Sequence, residues 1–380
     1  MSESQAGGAP PAPQTRLRRR LAELRGPAVP PRPMDARALA ALAANPGCRR
    51  RALLDGAGVD KTALASLLGS PAAYGQSQFA IMRGNAFEAK VKADGGRELL
   101  RLLGVDDAAE VLVPDLAAAG PEGRAARTSL ALREATAAGT AGAWTLLDHP
   151  LLALDVAGSP VFLEPDAVVV RPDGRWTVVE IKSFPMVDGS ADASKVGAAA
   201  RQAAVYVLAL ERVAAVTAGA SVAQSVLLVC PKDFSNLPAG SMVDVRKQTA
   251  VTRRQLARLT RIEDIAADLP EGLTFDVEGC TPEQLAEAVE AVPHAYAPEC
   301  LAACELAFHC RERARLAGVV EVLGRSVRGE LGGLTTIGAV LDAARGQDGD
   351  VDADADDPTV AAVRRARALR AEALEAMACR

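Results

Sequence analysis

The fold is decided by residues 161–182, which read VFLEPDAVVVRPDGRWTVVEIK. Two runs rich in β-branched and aromatic residues flank the turn sequence RPDG at 171–174, and this order predicts a β-hairpin. Side chains alternate between the two faces of a strand, so Glu180 and Lys182 lie on the same face of the second strand. Pairing that centres on the turn places Asp166 across from them. The stretch therefore predicts two carboxylates and an ammonium group close together.

These residue types are suited to the chemistry of phosphodiesters. Two carboxylates can hold Mg²⁺ or Mn²⁺, because these hard cations prefer oxygen ligands. Such a metal polarises a phosphodiester and lowers the pKa of a bound water molecule. A neighbouring lysine can position or deprotonate the nucleophile, or stabilise the charge that develops on phosphorus. The hairpin therefore predicts hydrolysis without a covalent intermediate.

The flanking sequence predicts helices and further strands around the hairpin. Residues 85–104 are predicted to be helical with a break at Gly95-Gly96, because paired glycines interrupt a helical pattern. A long alanine-rich helix is expected over 192–216, followed by a short apolar strand over 225–230. This order of strand, helix and strand extends the sheet beyond the hairpin.

Three motifs together resemble the PD-(D/E)XK nucleases. Pro165-Asp166 followed by Glu180-x-Lys182 is similar to the core motif of that family. Gln202 and Tyr206, spaced Q-x3-Y on the next predicted helix, are similar to the mark of its RecB-like branch, which includes AddAB-type and CRISPR-associated iron–sulfur exonucleases. The resemblance covers about residues 80–232.

The same resemblance implies an α/β fold with a restriction-endonuclease-like core, in which helices flank a mixed central sheet. It also implies a role for each matching residue. Arg83-Gly84-x3-Glu88 is similar to the first motif of the family, so Glu88 would bind Mg²⁺ or Mn²⁺ together with Asp166 and Glu180. Lys182 would orient the attacking water or stabilise the transition state. The Q-x3-Y pair, Gln202 and Tyr206, would orient Lys182, the substrate phosphate or both.

Four cysteines resemble the ligand set of the iron–sulfur members. Cys300, Cys304 and Cys310 are spaced C-x3-C-x5-C, and Cys48 lies far upstream. The resemblance implies a structural [4Fe–4S] cluster in a helical lobe, although the first gap is one residue longer than the C-x2-C-x5-C that is usual in the family. Zinc on the same thiolates is an alternative, with His309 able to replace one of them. A third reading is that these cysteines are small apolar residues on a helix.

The charge of the chain is unevenly distributed. The net charge is −5, yet residues 1–51 contain ten arginines and three acidic residues, whereas 262–299 contain ten acidic residues and neither lysine nor arginine. The basic residues in 16–51 could therefore hold a DNA backbone in spite of the negative total. Aromatic residues make up only 3% of the chain, which argues against a stacking platform for single-stranded nucleic acid.

Composition and spacing also predict the organisation of the chain. We expect a disordered basic arm over 1–35, a nuclease core with the iron–sulfur lobe over 36–318, a small helical unit over 319–346, an acidic linker over 347–357 and a C-terminal helix over 358–380. The first residues lack the charged start and apolar core that would predict a secretion signal, and no apolar run is long enough to predict a membrane span. The odd total of seven cysteines fits a reducing cytoplasm.

The function predicted from the sequence is that of a Mg²⁺- or Mn²⁺-dependent DNA exonuclease that acts on single strands or ends. DNA repair, CRISPR adaptation and phage or other antiviral defence are all open as its pathway. A helicase or another nuclease-complex subunit is an expected partner. Two alternatives remain open at this stage. One is a non-catalytic DNA-binding or scaffold subunit, and the other is a zinc-bound structural protein.

Overall fold

The computed structural model describes residues 13–71, 78–105, 111–138, 142–233, 235–346 and 357–378. They form two compact units. The sheet unit takes its residues from 1–60 and 74–292, and the helical unit takes its residues from 61–73 and 293–380.

Helices supply most of the regular structure in both units. In chain order the α-helices of the described residues are α1 (Pro13–Arg25), α2 (Ala36–Ala44), α3 (Arg49–Ala57), α4 (Lys61–Leu67), α5 (Gln78–Lys92), α6 (Arg97–Leu102), α7 (Gly120–Ala138), α8 (Ala193–Ala214), α9 (Arg246–Leu256), α10 (Ile262–Ala267), α11 (Pro282–Glu290), α12 (Ala307–Leu316), α13 (Arg325–Glu330), α14 (Ile337–Arg345) and α15 (Pro358–Ala378). Two short 3₁₀ segments lie at Pro298–Ala302 and Val320–Leu323.

The sheet unit is built on a mixed sheet. Its strands and those of a small second sheet are β1 (Val111–Leu112), β2 (Trp144–Asp148), β3 (Leu152–Val156), β4 (Ser159–Leu163), β5 (Ala167–Val170), β6 (Arg175–Ile181), β7 (Ser221–Val222), β8 (Ser225–Pro231) and β9 (Pro238–Asp244). The main sheet has the order β1-β2-β5-β6-β8-β9, and β7 also pairs with β6. Strand β6 runs parallel to β7 and β8 but antiparallel to β5, so the sheet is mixed.

The predicted hairpin forms with the expected register. Val170 pairs with Trp176 and Ala167 pairs with Val179, so the pairing centres on the predicted turn. Gly174 in that turn has φ +77°, and a Cβ atom there would lie 2.3 Å from the carbonyl oxygen of Gly219. Glycine is therefore required at this position by both conformation and space.

Helices cover both faces of the sheet, which confirms the predicted mixed sheet flanked by helices. On one face α5 and α6 pack on β2, β5, β6 and β8 through the buried residues Phe87, Val91, Leu99, Leu100, Leu146, Ala167, Val169, Val179, Ile181, Leu227 and Val229. On the other face Ala199 of α8 packs with Leu228 and Cys230 of β8. Burial on two faces explains why β5 and β8 are continuously apolar. The restriction-endonuclease-like subclass stays a prediction.

Helix α7 is fixed to the sheet by a buried polar contact. The indole Nε1 of Trp176 on β6 donates a hydrogen bond to Oγ1 of Thr136 at 2.9 Å. Trp176 is 0% exposed, so its N–H group has no access to solvent and depends on this acceptor.

The break between α5 and α6 was predicted from Gly95-Gly96 and is confirmed. Both glycines have positive φ, at +72° and +88°. A Cβ atom on Gly96 would lie 2.1 Å from Cδ2 of Leu146, so this turn also needs a glycine to let α6 approach β2.

The structure differs from the predicted organisation at the start of the chain. The prediction of a disordered arm over 1–35 is wrong for residues 13–25, which form α1, because Leu24 is fully buried and its carbonyl oxygen accepts a hydrogen bond from the backbone N–H of Phe275 at 2.6 Å. Residues 1–12 of the predicted arm lie outside the described residues.

The structure also groups other segments differently. Residues 61–71 and 293–318, predicted within the core, belong to the helical unit. That unit contains α12 to α15, so the predicted helical C-terminal region is confirmed. Residues 347–356 of the predicted linker lie outside the described residues. Among the helices that the structure describes, none is long and apolar enough to cross a membrane.

Candidate active site

Three of the predicted site residues meet where β6 ends. The register of the hairpin, continued by one pair beyond Ala167, sets Asp166 beside Glu180. The Asp166 carboxylate, through Oδ2, accepts a hydrogen bond from the backbone N–H of Ile181 at 2.6 Å. Lys182 follows directly, and its backbone N–H donates to the carbonyl oxygen of Val229 on β8 at 2.8 Å. The hairpin and the parallel strand together position Asp166, Glu180 and Lys182.

Glu180 has a buried carboxylate that receives little stabilisation from hydrogen-bond donors. The residue is only 1% exposed, and neither carboxylate oxygen accepts a hydrogen bond of good geometry among the described residues. The ammonium group of Lys182 forms an ion pair with Oε1. Burial raises the pKa of Glu180 to about 7; Lys182 opposes this shift and the charge of Asp166 adds to it.

The other two members of this group are shifted by the same surroundings. Burial raises the pKa of Asp166, while Lys182 and the hydrogen bond from Ile181 partly offset the effect. For Lys182, burial lowers the pKa, but attraction to Glu180 and Asp166 outweighs burial, so the net pKa is raised. Lys182 therefore carries its proton at neutral pH, and its positive charge compensates the two carboxylates.

Glu88 approaches this group from α5. Its Oε1 atom is shared by two donors, Lys92 Nζ at 2.5 Å and His149 Nε2 at 3.1 Å. The hydrogen bond from His149 has the largest effect on the pKa of Glu88 and lowers it. Burial raises this pKa, but the hydrogen bond and charge of Lys92 lower it again, so the net pKa is about 2. The charge of Glu88 in turn helps to raise the pKa of Asp166 and Glu180, so the three carboxylates act on one another.

Lys92 and His149 were missed from the sequence. Lys92 Nζ also contacts Asp148 Oδ1 at 2.7 Å and donates to the carbonyl oxygen of Asp166 at 2.8 Å. His149 has φ +45°, and its imidazole pKa is raised, chiefly by the hydrogen bond with Glu88. The spacing of Lys92 four residues after Glu88 was an available signal, because such residues share a helix face. No local signal joins positions 88 and 149.

The Q-x3-Y pair contacts the backbone before Asp166. Tyr206 is 5% exposed, and its hydroxyl donates to the carbonyl oxygen of Glu164 at 3.2 Å. Gln202 Nε2 donates to the Tyr206 hydroxyl oxygen at 3.1 Å. Burial, and then the charge of Glu180, raise the pKa of Tyr206, so its hydroxyl remains a donor. The two residues thus hold the segment that leads into Asp166, and their predicted role of orienting Lys182 or the phosphate stays a prediction.

Acidic and thiol side chains in the described residues do not form a ready metal cage. Among these residues no three of the His, Cys, Asp and Glu side chains are grouped so that they could hold a metal ion. Within the carboxylate cluster, Lys182 pairs with Glu180 and Lys92 pairs with Glu88. These ammonium groups supply the positive charge that the carboxylates need.

The predicted iron–sulfur ligands are divided between the two units. Cys48 precedes α3 in the sheet unit, whereas Cys300, Cys304 and Cys310 belong to the helical unit. The backbone N–H of Cys304 donates to the carbonyl oxygen of Cys300 at 2.8 Å, so these two residues span one helical turn. None of the six described cysteines forms a disulfide. The cluster itself stays a prediction.

Comparison with known proteins adds little. No protein-family model matches the chain, and no curated protein matches it. Among solved structures, an exonuclease candidate from Eubacterium rectale aligns at 10% identity with a TM-score of 0.31, over 68% of this chain and 88% of its own. The protein SSO0001 aligns at 11% identity with a TM-score of 0.19, over 51% of this chain and 84% of its own. Likeness this slight assigns neither a fold family nor an activity.

Proposed function

We propose that this protein is a metal-dependent nuclease that hydrolyses the phosphodiester bonds of DNA, on single strands or at ends. The observation that carries the proposal is the group formed by Asp166, Glu180 and Lys182 at the end of β6, with Glu88 acting on it from α5. Carboxylates whose pKa values diverge this far, beside a protonated lysine, are typical of sites that do chemistry.

The side chains are of the type that Mg²⁺ or Mn²⁺ prefers, although those the structure describes are not grouped as a ready metal site. Glu180 presents two buried oxygens, one of them paired with Lys182, and a bound metal ion would add to the positive charge beside them. Glu88, Asp166 and Glu180 would hold the ion. When bound, it would polarise the phosphodiester and make a water molecule more acidic.

The protein's own groups have separable tasks. Lys182 stays protonated, so it supplies positive charge to an anionic phosphate rather than acting as a base. Glu88 remains ionised at every pH at which the protein would work, because its pKa is lowered to about 2. Tyr206 fixes the backbone at Glu164 and so limits the movement of Asp166.

The test is a nuclease assay under anaerobic conditions with Mg²⁺ or Mn²⁺, on labelled single strands and duplex ends. Lys182→Ala and Asp166→Asn should each reduce cleavage by about 10²-fold or more while the circular dichroism spectrum is retained. Lys247→Ala is the matched control, because Lys247 is an exposed lysine on α9 of the same unit. Full activity in Lys182→Ala would refute the proposal. Wild-type protein that binds DNA but does not cleave it would instead favour the non-catalytic DNA-binding alternative.

For the cysteines, we propose that Cys48, Cys300, Cys304 and Cys310 hold a structural [4Fe–4S] cluster, with zinc as the alternative. Their spacing supports this, together with the one-turn separation of Cys300 and Cys304. Iron and zinc analysis of anaerobically prepared protein tests it. Cys304→Ser should bleach the visible absorbance, whereas Cys280→Ser, outside the set, should not. Zinc without iron would refute the cluster.

A further inference from the structure

A cleft in the helical unit is lined by arginine and apolar side chains that have no role in the proposed cleavage reaction. It measures about 580 Å³ and lies between α12 and the loop that follows α4. It is lined by Gly69, Ser70, Pro71, Phe308, Arg311, Glu312, Arg315 and Leu316. A space of this size accommodates a group as large as a nucleotide.

Two arginines and one glutamate, Glu312, line the cleft, so its net charge is positive. Arg311 and Arg315 are one turn apart on α12, so their guanidinium groups project on the same side. Within the described part of the chain neither forms an ion pair with an acidic side chain. Arg328 of the same unit shows the contrast, because it pairs with Glu321 at 3.1 Å. The planar guanidinium fork binds phosphate oxygens in pairs, so the cleft is suited to a phosphodiester backbone.

Apolar surface accompanies the charge. The guanidinium carbon of Arg311 lies over the Phe308 ring, 4.8 Å from its centroid, which makes a cation–π pair. Leu316 is 74% exposed at the same cleft, although apolar side chains of this size normally gain by burial. Phosphate-binding groups beside a flat apolar surface are what a single strand needs, because its unpaired bases present their faces. One ring is sufficient here, so the low aromatic content of the chain is no obstacle.

We propose that this cleft binds single-stranded nucleic acid, with phosphates on Arg311 and Arg315 and a base against Phe308 or Leu316. The inference rests on the proposed function, since it names single strands as the substrate class and adds a binding site for them in the helical unit. A duplex keeps its bases stacked inside and offers only phosphates to such a surface. The cleft should therefore favour single strands over duplexes.

Fluorescence anisotropy with a labelled oligothymidylate of about 20 nucleotides tests the proposal. The intact protein is used with EDTA present, so that divalent metal ions are chelated. Arg311→Gln with Arg315→Gln should weaken binding about tenfold or more, and should reduce the slope of log K against log salt by about 1.4, as expected for two phosphate contacts on a single strand. Phe308→Leu should weaken binding with no change in that slope, because it removes no charge.

The control removes two arginines elsewhere in the unit. Arg365→Gln with Arg370→Gln changes two exposed residues of α15 and should shift affinity by less than about twofold. Equal losses in the cleft and control variants, or wild-type affinity in the cleft variant, would overturn the proposal. Equal affinity for a duplex of the same length would overturn the preference for single strands. Binding is measured without divalent metal, so its outcome is independent of whether Lys182 and the carboxylates cleave DNA.

Discussion

Replacing Lys92 by methionine should loosen the α5 side of the carboxylate cluster while nearly preserving side-chain volume. Lys92 Nζ contacts Glu88 at 2.5 Å, Asp148 at 2.7 Å and the carbonyl oxygen of Asp166 at 2.8 Å. Methionine keeps an apolar stem but can make none of these contacts. Two carboxylates and a carbonyl group would then lose a common donor.

The expected loss follows from the exposure of each partner. The Lys92 side chain is 13% exposed, so its charged hydrogen bond to the Asp166 carbonyl is worth about 1.5–3 kcal/mol. Asp148 is 47% exposed, and such a pair adds at most about 1 kcal/mol. Burying the methionine side chain returns about 1 kcal/mol. The free energy of unfolding should therefore fall by about 0.5–3 kcal/mol.

Urea denaturation measures that loss, and NMR titration of the three histidines of the chain gives a second readout. The His149 pKa is raised mainly by the hydrogen bond with Glu88. The charge of Lys92, whose Nζ lies 3.1 Å from Nε2, acts in the opposite direction and lowers this pKa. In Lys92→Met the His149 pKa should rise further, because this repulsion is gone.

Two variants separate the role of the charge from that of the helix. Lys90→Met changes an exposed lysine of the same helix and should alter stability by less than about 0.5 kcal/mol. Lys92→Arg keeps the charge and should restore most of the loss. If Lys92→Met is as stable as Lys90→Met and the His149 pKa is unchanged, the network does not hold the cluster together.

Three further predictions concern buried groups. The pKa of Glu180 is raised to about 7 from 4.5, so the folded state binds an extra proton between these pH values. Without divalent metal, the free energy of unfolding should therefore fall by about 3 kcal/mol as pH rises from 4.5 to 7. Glu180→Gln should remove this pH dependence when unfolding by urea is followed at each pH. Tyr206→Phe should lower the free energy of unfolding by about 1–2 kcal/mol, because the carbonyl of Glu164 loses its donor. The same change should lower kcat more than it raises KM, and an unchanged kcat would show that the contact does not position Asp166. Thr136→Val should cost about 1–3 kcal/mol by leaving the Trp176 indole N–H unpaired, and Thr136→Ser should recover it in thermal unfolding.

The hairpin could be predicted because its determinants are local. The turn RPDG fixed where the strands reverse, and side-chain alternation then fixed which residues face each other. Its first strand was predicted too long. Residues 161–163 belong to β4, which pairs with β3 in a separate sheet, and that pairing ends at Leu163, two residues before Pro165. Hydrophobicity alone does not report such a change of partner.

Helix α1 escaped prediction for a related reason. Its sequence is rich in arginine and lacks a strong apolar period, so composition favoured disorder. The burial of Leu24 and the hydrogen bond between its carbonyl and Phe275 connect positions about 250 residues apart. A contact at that separation stabilises the helix without leaving a pattern in the local sequence.

The same distinction explains what the motifs of the candidate site reveal. They point to the side chains that the proposed chemistry would use, such as Glu88 and Glu180, because those residue types are set by that chemistry. They do not identify what sets the protonation of those side chains. The pKa of Glu88 is about 2 because His149 and Lys92 donate to it, whereas that of Glu180 is about 7 because burial leaves it with Lys182. Two glutamates with the same side chain therefore differ in protonation because tertiary contacts give them different neighbours. This difference between them is a property of the fold.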